Sequence, residues 1–203
     1  MRRSLLLSGF ALVASIAATA AITPAHADPL QPGGITVTRG GGNVNVAKGK
    51  FAAADQAVTT LGGIASGHGR AITNGGNNHN TALGKFSYAG QDVTTVGGVA
   101  SGRGKVFTSG GNNANTARGF GSTALQSVTT MGGNASGHGV AATRGGSNSN
   151  LAAGKFSTAD QQVLTIGGTA GPRGKALVSG GHNRNAALGF GSSASQQVIT
   201  AGQ

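Results

Sequence analysis

The sequence predicts an all-β protein, a parallel β-solenoid with three strands in each 35-residue turn and about five turns. Three observations predict it. Identical residues return at one fixed interval: Asn45, Asn80, Asn115, Asn150 and Asn185 are spaced by 35, as are Gln56, Gln91, Gln126, Gln161 and Gln196 and the column Val58, Val93, Val128, Val163 and Val198. Within one repeat the recurring residues fall at every second position, as in Ser87, Ala89, Gln91, Val93, Thr95 and Gly97, and period two is the signature of a strand. That parity slips at Gly62-Gly63, Gly97-Gly98, Gly132-Gly133 and Gly167-Gly168, and again between Gly84 and Ser87, so glycine marks the corners of a three-sided coil.

The first 27 residues read as an export signal. Arg2 and Arg3 precede an apolar run from Leu5 to Ile22, and Ala25-His26-Ala27 offers a small-residue cleavage site before Asp28. Residues 28–39, DPLQPGGITVTR, carry two prolines and no repeat match, and read as a leader or a partial first turn. Residues 40–203 form the repeat domain. In one turn, strands are expected near 76–84, 87–97 and 98–110. A meander of hairpins would also alternate, but it gives no reason for identity at a fixed 35-residue step. A parallel coil does, because each residue then stacks about 4.8 Å from its counterpart and builds a side-chain ladder. Asn and Gln in such ladders can hydrogen-bond from turn to turn, and inward Ala, Gly, Ser and Thr let the walls approach closely.

Composition limits the function classes. There are 39 Gly and 7 Phe in 203 residues, with no Trp, no Cys and no Glu, which leaves little bulky apolar volume for an ordinary two-layer enzyme core. The absence of Cys provides no disulfide in an oxidising compartment. Four Asp (Asp28, Asp55, Asp92 and Asp160) stand against 15 Lys and Arg, for a net charge of +11 that loss of Arg2 and Arg3 would lower by two. A charged partner is therefore expected to be an anion. His68 and His138 share a column but lie two turns apart, about 9.6 Å, too far to hold one metal ion directly. No nucleophile, base and stabiliser converge in the pattern, so no enzymatic activity, cofactor or metal is expected.

The corner segments NTALGKFSYAG (80–90), NTARGFGSTALQ (115–126), NLAAGKFSTADQ (150–161) and NAALGFGSSASQ (185–196) resemble the N-x-A-x-G-x-x-S-x-A unit of the β-roll heads of trimeric autotransporter adhesins. The motif spans about a third of each repeat. More loosely, the chain is similar to curlin-type fibre subunits, in which Gly, Asn, Ala and Gln recur on alternating strands. Its 35-residue period differs from the repeats of both. The resemblance implies a bacterial extracellular coil used for adhesion or fibre building.

Outward positions differ from turn to turn and should carry the function. One column is basic, His68, Arg103, His138 and Arg173, with Arg70, Lys105, Val140 and Lys175 two residues on. Like charges stacked on successive strands repel. A polyanion such as lipopolysaccharide, teichoic acid, extracellular DNA or acidic polysaccharide would relieve that repulsion; alternatively the basic residues only keep a strand face wet. A second column, Leu61, Val96, Met131 and Ile166, and a third, Ile72, Phe107, Ala142 and Leu177, are apolar and suit lateral self-association. Phe51, Phe86 and Phe156, with Phe120 and Phe190 one position earlier, either plug the wide vertex of the coil, the simpler expectation, or add an aromatic edge. The final residues, Gln196 to Gln203, remain in strand register, which suggests an open edge able to template another molecule.

The expectation is therefore a secreted or cell-surface structural or adhesive protein that assembles or coats, with the periplasm as the other compartment. A polyanion-binding module is the alternative. A remote third is ice binding through Thr59-Thr60, Thr94-Thr95 and Thr129-Thr130, an array that breaks at Leu164 and Ile199.

Overall fold

Residues 35–62, 64–66, 69–102, 104–171 and 173–202 are described by a computed structural model of the chain. The expected export signal, leader residues 28–34, His68 and Arg103 lie outside the described residues.

The fold is a parallel β-solenoid. Its first turn comprises β1 (Ile35–Arg39), β2 (Gly42–Lys48) and β3 (Phe51–Leu61). The same triplet returns as β4 (Arg70–Asn74), β5 (Asn77–Leu83) and β6 (Phe86–Val96), then as β7 (Lys105–Ser109), β8 (Asn112–Arg118) and β9 (Thr123–Met131). Two further turns follow, β10 (Val140–Arg144), β11 (Ser147–Ala153) and β12 (Thr158–Ile166), and β13 (Lys175–Ser179), β14 (His182–Leu188) and β15 (Ser193–Ala201). Corresponding strands stack into three five-stranded sheets: sheet 1 is β1-β4-β7-β10-β13, sheet 2 is β2-β5-β8-β11-β14 and sheet 3 is β3-β6-β9-β12-β15. All pairings are parallel and offset by 35 residues, as in Asn80↔Asn115 and Gln91↔Gln126. Strand β1 shows that residues 35–39 of the segment read as leader or partial turn are a partial first turn.

One expected strand is shorter than its pattern. The segment 98–110 pairs as a strand only over Lys105–Ser109, preceded by single bridges at Ala65, Ala100 and Ala135 to the next turn. The inward facing is kept at Gly98, Ala100, Gly104 and Val106, all buried, and fails at Gly102, which is exposed. Parity reports which side of the wall a residue faces, and an irregular corner can keep that facing without keeping the strand.

The interior is narrow. Between sheets 2 and 3 lies a stack of alanines, including Ala54, Ala82, Ala89, Ala117, Ala124, Ala152 and Ala159. Val58, Val93, Val128 and Val163 form a second stack, and Ala71, Val106 and Ala141 with the bridge alanines form a third. Burying each Val contributes about 1.5–3 kcal/mol, whereas Ala contributes much less, so polar ladders must hold a large share of the structure together.

Those ladders are amides. Asn113 Nδ2 donates to Asn148 Oδ1 at 2.8 Å and to Gly110 O at 3.1 Å, and the same pair of bonds recurs at Asn43, Asn78, Asn148 and Asn183 wherever a following turn exists. Asn115 crosses the interior: its Nδ2 donates to Ala89 O at 2.9 Å and Leu125 O at 2.8 Å on sheet 3, and to Asn150 Oδ1 at 2.9 Å. The Gln ladder runs the other way, Gln126 Nε2 donating back to Gln91 Oε1 at 2.6 Å and Gln196 to Gln161 at 2.6 Å. Opposed ladder directions let the amide dipoles of sheets 2 and 3 offset each other. At the sheet 2 to sheet 3 corner Ser87 and Ser122 donate back to Gly84 O and Gly119 O at 2.9 and 2.7 Å, which explains the fixed Gly-x-x-Ser spacing.

Candidate functional site

With the interior occupied by small residues and ladders, the outer faces are what the protein offers to a partner. Sheet 1 presents three outward columns. Its middle column is Val37, Ile72, Phe107, Ala142 and Leu177, in register across all five strands. On one side run Ile35, Arg70, Lys105, Val140 and Lys175, and on the other Arg39, Asn74, Ser109, Arg144 and Ser179. Because Ala142 lies between the larger Phe107 and Leu177, the middle column dips, and a trough of about 530 Å³ opens there with Ile72 and Arg144 in its walls. The Arg70 guanidinium sits over the Phe107 ring, 5.6 Å from its centroid, a cation–π contact between a basic and the apolar column.

The basic residues singled out in the sequence fall as follows. Arg70, Lys105 and Lys175 share one column, interrupted by Val140. His138 and Arg173 meet at the corner before sheet 1, with Arg173 Nη1 3.5 Å from His138 Nε2 and both side chains exposed. The apolar columns also hold their register: Leu61 pairs with Val96, Val96 with Met131 and Met131 with Ile166, at the sheet 3 edge next to that corner. Ile72 and Phe107 are half-buried, while Leu177 is 60% exposed.

Charge is segregated by sheet, a feature the sequence reading did not draw out. The ten strands of sheets 1 and 2 carry Arg39, Lys48, Arg70, Lys105, Arg118, Arg144, Lys175 and Arg184 and no acid. The five strands of sheet 3 carry Asp55, Asp92 and Asp160 and no Lys or Arg. The signal was present in the sequence, since all three of these Asp fall in the segment that follows the Gly-Ser corner.

No protein family, curated protein or solved structure matches this chain. Its faces must therefore be read from their own chemistry.

The corner phenylalanines do not plug the vertex. Phe51, Phe86, Phe120, Phe156 and Phe190 stand on the outside, 41–75% exposed, as a continuous aromatic edge with successive ring centroids 5.4–6.0 Å apart. For Phe51 and Phe86, the first residues of β3 and β6, the reason is parity, since Ala52 and Ser87 beside them are buried; Phe120, Phe156 and Phe190 stand in the turns before β9, β12 and β15. Lys50 and Lys85 lie over Phe51 and Phe86, 5.7 and 5.9 Å from the ring centroids. On sheet 2, His79, Asn112, Ser149, His182 and Arg184 border a second trough of about 850 Å³, with Ala114 also in its lining.

The paired threonines divide between inside and outside. Thr60, Thr95 and Thr130 are buried, leaving Thr59, Thr94 and Thr129 as a single outward file. Among the described residues no three His, Cys, Asp or Glu side chains gather where an ion could bind. Among the described residues no helix is long and apolar enough to cross a membrane.

Proposed function

We propose that this protein is a secreted structural or adhesive element that self-associates or coats a surface. The observation that carries the reading is the pair of outward aliphatic columns, Leu61/Val96/Met131/Ile166 and Ile72/Phe107/Ala142/Leu177, held in register along a rod whose interior is closed by amide ladders. Continuous apolar tracks on a rigid face favour lateral contact with another surface. Stacking of another copy's turn in the same register would extend every ladder and favours end-to-end contact. The resemblance of the Gly-Ser corners to adhesin heads agrees with an extracellular role.

Electron microscopy and analytical ultracentrifugation of the chain beginning at Asp28 test the proposal. Fibres, sheets or discrete oligomers that grow with concentration are expected. A protein that stays monomeric at high concentration, and fails to adsorb to cell-envelope material, contradicts it.

A second reading is favoured by the charge segregation: a module in which the acid-free sheets 1 and 2 grip an anionic polymer. Its mark is binding that falls steeply with salt and is lost when Lys105, Arg173 and Lys175 are changed to Ala while assembly persists. The single outward Thr file on sheet 3 gives ice binding no comparable support.

A further inference from the structure

Sheet 1 combines two features that neither a soluble polyanion nor a purely apolar partner would use together. Its middle column is apolar from Val37 to Leu177, over four turn-to-turn steps or about 19 Å. Cationic residues flank that column on both sides, Arg70, Lys105 and Lys175 on one and Arg39 and Arg144 on the other, each two residues away along the strand or roughly 7 Å. The strands of this sheet contain no acid. Hydrophobic groups between cations, on a flat and rigid face, match a layer that presents anionic headgroups above hydrocarbon.

We infer that the outer face of sheet 1 docks on an anionic lipid surface, with Ile72, Phe107 and Leu177 entering the headgroup boundary, the trough over Ala142 receiving hydrocarbon, and Lys105, Arg144 and Lys175 meeting headgroup phosphates. DNA or an acidic polysaccharide would satisfy the cations but leave the apolar column in water. A second copy of this chain would set basic against basic if two sheet 1 faces paired, and its sheet 3, where the acids are, offers only Asp55, Asp92 and Asp160. Anionic lipid engages both features. The inference rests on the coating half of the proposed function and names the coated surface.

The test is co-sedimentation of the chain beginning at Asp28 with vesicles of phosphatidylcholine, with and without phosphatidylglycerol, below the concentration at which the protein assembles. Binding is expected only when phosphatidylglycerol is present. Lys105→Gln with Arg144→Gln should lower vesicle affinity about 25-fold, the product of two surface cations. Ile72→Thr, Phe107→Thr and Leu177→Thr together should lower it at least tenfold, with binding to duplex DNA unchanged. These three positions point outward and Thr suits a strand, and far-UV circular dichroism checks the fold. Should the triple variant not fold, Ala142→Gln, a single outward change that puts a neutral polar group in the trough, should lower vesicle affinity with binding to duplex DNA unchanged.

Several results overturn the inference: no binding to anionic vesicles, equal binding to pure phosphatidylcholine, or apolar-column variants that bind vesicles as the parent does. The last would leave a simple polyanion site. Pairing through this face would instead show as a dimer lost in the triple variant, with no vesicle binding. Self-assembly, followed separately without lipid, can fail while vesicle binding persists, so the two proposals are separable.

Discussion

Asn115→Ala should be among the most damaging single changes available in this protein. Asn115 is fully buried and its Nδ2 donates to Ala89 O, Leu125 O and Asn150 Oδ1, while its Oδ1 accepts from Asn80 Nδ2 at 3.0 Å. Nδ2 has two hydrogens, so its three contacts amount to two bonds, one of them shared; with the accepted bond that makes three, and at about 0.5–1.5 kcal/mol net for each the loss is about 1.5–4.5 kcal/mol, with the buried Asn150 Oδ1 left without its donor. Asn45, the same column in the first turn, donates only to Asp55 O, so Asn45→Ala should cost about 1 kcal/mol. Asn115→Asp is a sharper variant, replacing the donor by a carboxylate facing two carbonyl oxygens. The assay is urea denaturation followed by circular dichroism, supported by hydrogen exchange at sheet 2 because a repeat protein can unfold in parts. Equal, small losses at positions 115 and 45 would refute the claim that crossing amide ladders hold the walls together.

Further outcomes follow from other columns. Thr108 Oγ1 is buried with no hydrogen-bond partner among the described residues, and the last turn carries Val178 in that column, so Thr108→Val should be neutral or stabilise by about 1 kcal/mol in the same denaturation assay. Phe156 has φ 54°, where the 35-residue step places Gly121 (φ 69°) before it and Gly191 (φ 66°) after it. Lys155→Phe combined with Phe156→Gly keeps a ring on the edge and should raise the unfolding midpoint, by about 1–2 kcal/mol of relieved strain; Phe156→Gly alone forfeits the ring contacts and should gain less. A methyl group on Gly133 would collide with the Gly98 carbonyl oxygen of the previous turn, whereas one on Gly42 meets nothing within 4 Å. Gly133→Ala should therefore cost about 3 kcal/mol or more and Gly42→Ala less than about 0.5, both measured by thermal melting. Mass spectrometry of exported protein should find Asp28 as its first residue, and an uncut N-terminus would contradict the signal assignment.

The architecture was legible because a solenoid writes its geometry into sequence twice. The 35-residue step gives the stacking, since a ladder such as Gln56 to Gln196 requires the same residue in each turn. Parity gives the facing, and the inward residues from Ser87 to Thr95 are all buried as expected. Parity is silent about backbone pairing, and so the segment from Gly98 to Gly104 looked like strand although, among its described residues, it pairs only at Ala100. The same parity rule, applied to Phe86 and Ser87 as neighbours, could have placed Phe51 and Phe86 outside; it is silent about Phe120, Phe156 and Phe190, which stand in turns before their strands. The surface was less legible. The basic and apolar columns were visible separately, but their arrangement as one apolar track with cations on both sides depends on how short sheet 1 is: five residues, hence only three outward positions. Arg39 and Arg144, which complete that arrangement, lie four residues from the basic column and so on its own side of the strand.

Cysteine cross-linking tests the central claim of in-register turns most directly, because the chain contains no Cys of its own. Thr94 and Thr129 are outward, half-buried register partners on β6 and β9. Their Cα atoms should be about 4.8 Å apart, within the range a disulfide spans. Thr94→Cys with Thr129→Cys should close an intramolecular disulfide under mild oxidation. Thr94→Cys with Thr130→Cys, whose second residue faces inward, should remain reduced. Equal oxidation of both pairs, or closure only in the second, would contradict a coil built on a 35-residue turn.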